Sequence, residues 1–141
     1  MRKKVDHRKS IYMPPESMEQ INAFPSRNPE FSTRVQEMIA CLHHAMQRTE
    51  QEVDKLFSES EWNYLRDMLN STLLTPDLPY RVVLPAQVED ANKYEGLGAK
   101  WNVNAQALAD KISNLPEFTC FVIAKQVEKW WQNVSNANED E

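Results

Sequence analysis

Pro14 and Pro15 cut the first short segment of this chain off from everything behind it. Residues 8–13 alternate, with Lys9, Ile11 and Met13 on one face and Arg8, Ser10 and Tyr12 on the other. A period of two is the pattern of a strand, and proline ends a strand because it has no N–H for the ladder. The segment therefore reads as one short β-strand. Behind it the period lengthens. Pro15 is tolerated in a first helical turn, and Glu16 and Glu19 favour a helix N-terminus. Met18, Ile21 and Phe24 form the apolar side of that helix, and Pro25-Ser26-Arg27-Asn28 makes a turn.

The second helix has a clear start. Asn28 is an N-cap, Pro29 stands at the first helical position and Glu30 lies in the first turn. Phe31, Val35, Met38, Ile39, Leu42, Ala45 and Met46 then recur at helical steps. That stripe is wide, and it wants a partner surface. Its end is unmarked: either Thr49 and Glu52 open a separate short helix through Phe57, or one long helix continues.

The remainder reads as a small helical domain over residues 49–133. Ser58-Glu59-Ser60-Glu61 has the capping-box pattern and precedes Trp62, Leu65, Met68, Leu69 and Leu73. Residues 74–84 form a connector, with Val82-Val83-Leu84 as an extended piece. Pro85 opens a helix that Gly96 stops. Asn102 or Asn104 caps a helix carrying Leu108 and Ile112. Pro116 opens a last helix, with Phe118, Val122, Ile123, Val127 and either Trp130 or Trp131 facing inward. Residues 134–141 are polar, end in Glu139-Asp140-Glu141, and read as a disordered acidic tail.

Charge divides the chain in the same way. Residues 1–48 carry eight Lys/Arg and five Asp/Glu, a balance of +3, whereas residues 49–141 carry eight and sixteen, a balance of −8. Five of the basic side chains stand within residues 1–10. This is a basic contact surface joined to an acidic, solvated body. Cys41 and Cys120 have no metal-type spacing, which suits reduced thiols and a cytoplasmic protein. No stretch approaches the roughly 18 apolar residues that cross a membrane, and no apolar run follows the basic start.

The order of elements over residues 8–46 resembles the ribbon-helix-helix family of DNA-binding proteins, the MetJ/Arc type. The resemblance covers a quarter to a third of the chain. It implies a mainly α protein with an N-terminal ribbon-helix-helix domain over residues 1–48, one short strand and two helices in an intertwined homodimer, followed by the helical domain. It implies that Ile11, Met13, Ile21, Val35, Met38, Ile39 and Leu42 form the dimer core. The paired strands would enter the major groove and read bases with Arg8, Ser10 and Tyr12. Lys9, on a face that the family usually buries, joins Arg2, Lys3 and Lys4 as a phosphate contact. Asn28, Ser32 and Thr33, around the start of the second helix, would hold a backbone phosphate.

Other chemistry finds little support. His43 and His44 are adjacent, so on a helix they point about 100° apart and do not converge on a metal. Cys41 lacks a third group to orient a nucleophile pair. No carboxylates stand out as an acid–base dyad, and no cofactor motif is present. Trp62, Trp101, Trp130 and Trp131 read as core rather than as a stacking platform for bases. The expectation is a sequence-specific repressor of double-stranded DNA, autoregulatory, with dimers able to form higher oligomers on DNA and a C-terminal domain free for a protein partner. Plasmid partition, relaxosome assembly or antitoxin action would use the same DNA binding, in a plasmid or phage setting. A helical adaptor without DNA binding is the rival from another class, and no enzyme is expected.

Overall fold

The structure, a computed structural model, describes residues 13–27, 30–69 and 77–139. Among them are seven helices: α1 (Pro15–Ala23), α2 (Phe31–Val53), α3 (Glu59–Met68), α4 (Tyr80–Glu95), α5 (Leu97–Trp101), α6 (Ala105–Ser113) and α7 (Glu117–Glu139). They contain no strand, which corrects the ribbon-helix-helix expectation: the described chain is all-α. Met13, the last residue of the expected strand, pairs with nothing and leads into Pro14, the N-cap of α1. Residues 8–12 lie outside the described residues. Alternation over six residues is a local signal, and a strand forms only where a second one satisfies its N–H and C=O groups. No described helix is long and apolar enough to cross a membrane.

The chain divides into two compact units, Met1–Ala45 and Met46–Glu141. The first is a hairpin of α1 and the leading part of α2. An Arg34 side chain donates to the Asn22 carbonyl and ties the two helices together. No described side chain between residues 13 and 45 is buried. The helix α2 runs unbroken to Val53, which is its only buried residue, so Thr49 and Glu52 start no new helix.

The second unit holds the core. Tyr64 and Leu65 of α3, Leu84 and Val88 of α4, Leu108 and Ile112 of α6, and Val122, Ile123 and Val127 of α7 are buried together with Val53. Several local rules act as the sequence predicts. Ser58 and Glu61 close a reciprocal capping box at the start of α3, with bonds of 3.0 and 3.2 Å. Asn104 caps α6 by accepting from the Ala107 amide at 3.1 Å. Gly96 ends α4 with φ at 67°, the left-handed cap that glycine adopts without strain. At Gly98 a Cβ would meet the Asn92 side-chain oxygen at 2.5 Å, so a larger residue there must displace the amide that accepts from the Gly98 N–H.

Residues 82–84 differ from expectation, being helical within α4. The cause is remote. Glu117 of α7 accepts from the amides of Tyr80 and Arg81 at 2.7 and 3.0 Å, capping α4 five residues before Pro85. Pro85 then sits inside the helix and lacks the N–H that would reach the Arg81 carbonyl. Replacing Glu117 by alanine should cost about 1–2 kcal/mol, as loss of a helix cap does, read as a lower denaturation midpoint with an unchanged slope. An unchanged midpoint would mean that water caps α4 equally well.

Candidate self-association and nucleic-acid interface

Within the hairpin, the expected dimer-core residues Ile21, Val35, Met38, Ile39 and Leu42 come together. With Phe24, Cys41 and Ala45 they line one apolar hollow of about 550 Å³. The helical stripe of α2 places Val35, Met38, Ile39 and Leu42 at successive turns, and α1 closes the side with Ile21 and Phe24. Not one lining side chain is charged. Ile39 is 63% exposed and Leu42 47%, and Phe31 and Met18 of the same unit are exposed as well. A hairpin of this size with no described side chain buried has little to offset the entropy of ordering two helices. Full burial of one aliphatic side chain contributes about 1.5–3 kcal/mol. Covering Ile39 and Leu42 in two copies therefore contributes several kcal/mol.

The other expected site residues fall in two groups. Arg2, Lys3, Lys4, Arg8, Lys9, Ser10, Ile11, Tyr12 and Asn28 lie outside the described residues. Ser32 and Thr33 occupy the first turn of α2, Ser32 exposed and Thr33 half-buried. Free amides at such a helix start suit a phosphate oxygen. Met13 precedes α1, half-buried, and is not part of the hollow. Phe24, Cys41 and Ala45 are additions to the expected surface. Phe24 and Ala45 belong to the apolar pattern of α1 and α2, but only the closeness of the two helices brings them onto one face. Cys41 carried the same signal in its spacing, three residues after Met38 and four before Ala45.

The two cysteines have opposite surroundings. Cys120 is fully buried, its thiol pushed up to about 11, first by burial and then by the negative charge of Glu117, with Arg81 opposing. Its sulfur lies 3.6 Å from the Ile112 carbonyl. Cys41 is exposed. It is the thiolate that attacks a thiol reagent, so Cys120 should stay silent in the native protein at neutral pH.

Comparison of the chain with protein-family models, with curated proteins and with solved structures yields no match.

Proposed function

We propose that this protein is a homodimeric DNA-binding regulator, a repressor that occludes a promoter, whose helical hairpin is the dimer interface. The observation that carries the dimer is the uncharged apolar hollow of a unit that buries none of its own described side chains. A surface without charge selects no complementary partner by sign. It does suit a two-fold contact, in which the same patch meets itself. Dimerisation also doubles the basic start of the chain, giving ten Lys/Arg against two Asp/Glu over residues 1–10 of the two copies. Such an array attracts phosphates and releases counterions, while the −8 balance of residues 49–141 repels them. Residues 1–12 and the start of α2 are therefore the parts of the molecule fitted to a duplex.

Fluorescence anisotropy with duplex DNA from just upstream of the gene, against a random duplex across a salt series, tests the reading. Binding to the upstream duplex that survives at salt where random DNA is released supports a sequence-specific regulator. Equal and salt-labile binding to both removes the repressor and leaves a general DNA anchor. Absence of binding at low salt overturns the proposal in favour of a helical adaptor.

The interface has its own test. If a second copy covers the hollow, Cys41 should react with a thiol reagent more slowly as protein concentration rises, while Cys120 stays silent throughout. Fast reaction of Cys41 at every concentration would show the hollow open to solvent.

A further inference from the structure

Arg66 of α3 is held in an unusual way for a half-buried cation. Its guanidinium carbon lies 4.8 Å from the centre of the Trp130 ring and 5.9 Å from that of Trp62. The Trp131 indole N–H donates to the Arg66 carbonyl at 2.9 Å and fixes this stretch of α3 to α7. Stacking engages the flat faces of a guanidinium and leaves its N–H edge available. Lys100 pairs with Asp67, Lys111 with Glu61 and Lys125 with Glu128. None involves Arg66, and no described oxygen accepts from its side chain.

Arg66 lines a hollow of about 200 Å³, together with Trp62, Trp130, Gln126, Lys129 and Asp54. A second hollow of about 210 Å³ shares Arg66 and Trp130, but there Asp67 is already bonded to Lys100 at 2.6 Å and to the Trp101 indole at 3.0 Å. In that second hollow a carboxylate already engaged by two donors stands beside the guanidinium, so the first is the better place for an incoming acceptor. The planar guanidinium fork matches a carboxylate with two parallel bonds. The indoles offer apolar walls for a flat body, and Lys129 adds a second cation at the rim. Asp54, also at the rim, disfavours a ligand of high negative charge, as does the acidic balance of the unit.

We propose that this cleft binds a small aromatic monocarboxylate, its carboxylate on the Arg66 edge and its ring against Trp62 and Trp130. The site lies wholly in the C-terminal unit and is independent of the DNA-binding reading.

The test uses the full chain and phenylacetate as probe, followed by the indole N–H signals in NMR and by calorimetry. Phenylacetamide (the same shape without the charge) and inorganic phosphate are the comparisons. Phenylacetate should shift the Trp62 and Trp130 signals saturably, with phenylacetamide at least about tenfold weaker, the loss expected for a charge-assisted pair. Arg66→Gln should weaken phenylacetate at least about tenfold, and Arg66→Lys less, because lysine keeps the charge and loses the fork. Equal binding of acid and amide overturns the proposal. So does tighter binding of phosphate, unchanged affinity in a folded Arg66→Gln protein, or no saturable shift of these two signals. Should Arg66→Gln fail to fold, the acid–amide comparison on the native protein and a Lys129→Gln variant, expected to bind phenylacetate a few-fold more weakly, decide the matter.

Discussion

Replacing Ile39 and Leu42 together by glutamate should turn the proposed dimer into a monomer and abolish the proposed specific DNA binding. Both residues line the hollow, and both are largely exposed in the single chain, so the change costs the isolated protomer little. In the dimer the same carboxylates would be removed from water without partners. Four such charges per dimer cost several kcal/mol, which weakens association more than about 1,000-fold. Sedimentation or light scattering at micromolar protein reads the mass directly. DNA binding should fall to the level of a single basic segment, with the dependence on salt roughly halved because half as many phosphates are neutralised. The C-terminal unit has its own buried core and should keep its thermal transition. A double variant that remains dimeric would place the interface elsewhere.

Raising the pH from 10 to 12 should remove about 2–3 kcal/mol of stability through Tyr64 alone. This tyrosine is fully buried, and its hydroxyl donates to the Val88 carbonyl at 2.5 Å. Burial first, and the negative charge of Glu95 second, push its pKa from 10.0 up to about 12. The neutral form is therefore favoured in the folded state. The folded protein keeps the proton where the unfolded chain gives it up. The contribution is complete below pH 10, declines through the interval, and is gone above 12. Other groups titrate in the same range, so the comparison with Tyr64→Phe isolates this one. Phenylalanine should cost about 1 kcal/mol at neutral pH for the lost hydrogen bond, then show a shallower decline in alkali. Parallel pH profiles for the two proteins would show that Tyr64 ionises as freely in the folded state as in the unfolded chain.

Rules that act within one turn were legible in the sequence, and those that act across the fold were not. The capping box at Ser58 and Glu61 needs only residues three apart, and the left-handed stop at Gly96 only one residue. The inward residues of α7, Val122, Ile123 and Val127, follow from helical spacing. By contrast, Val82-Val83-Leu84 look extended by composition and are helical because Glu117 caps them from 36 and 37 positions away. Tyr64 gave no sign of its burial, since its partner is a carbonyl 24 residues on. The alternation of residues 8–13 suggested a strand, whereas the described residues, to which only Met13 of that segment belongs, contain none. At the candidate interface, the stripe on α2 announced a surface in need of cover, and Cys41 falls on it at three residues from Met38 and four from Ala45. The indoles of Trp62 and Trp130 read as core, because only the approach of α3 to α7 places Arg66 between them.

The unbroken course of α2 has a consequence for how the hairpin folds. Val53 anchors its last turn in a formed core, so the costly first turn of the helix is already made at that end. Growth back toward Phe31 then proceeds residue by residue, with little tertiary support until the apolar stripe is covered. In dilute solution α2 should fray progressively from Phe31, and amide hydrogen exchange along it should form a gradient that steepens as the protein is diluted. The proposed association would complete the helix, so stability of residues 31–45 should then rise with concentration while that of residues 59–133 stays constant. On that proposal, one chain would carry a segment whose order reports how much of the protein is present.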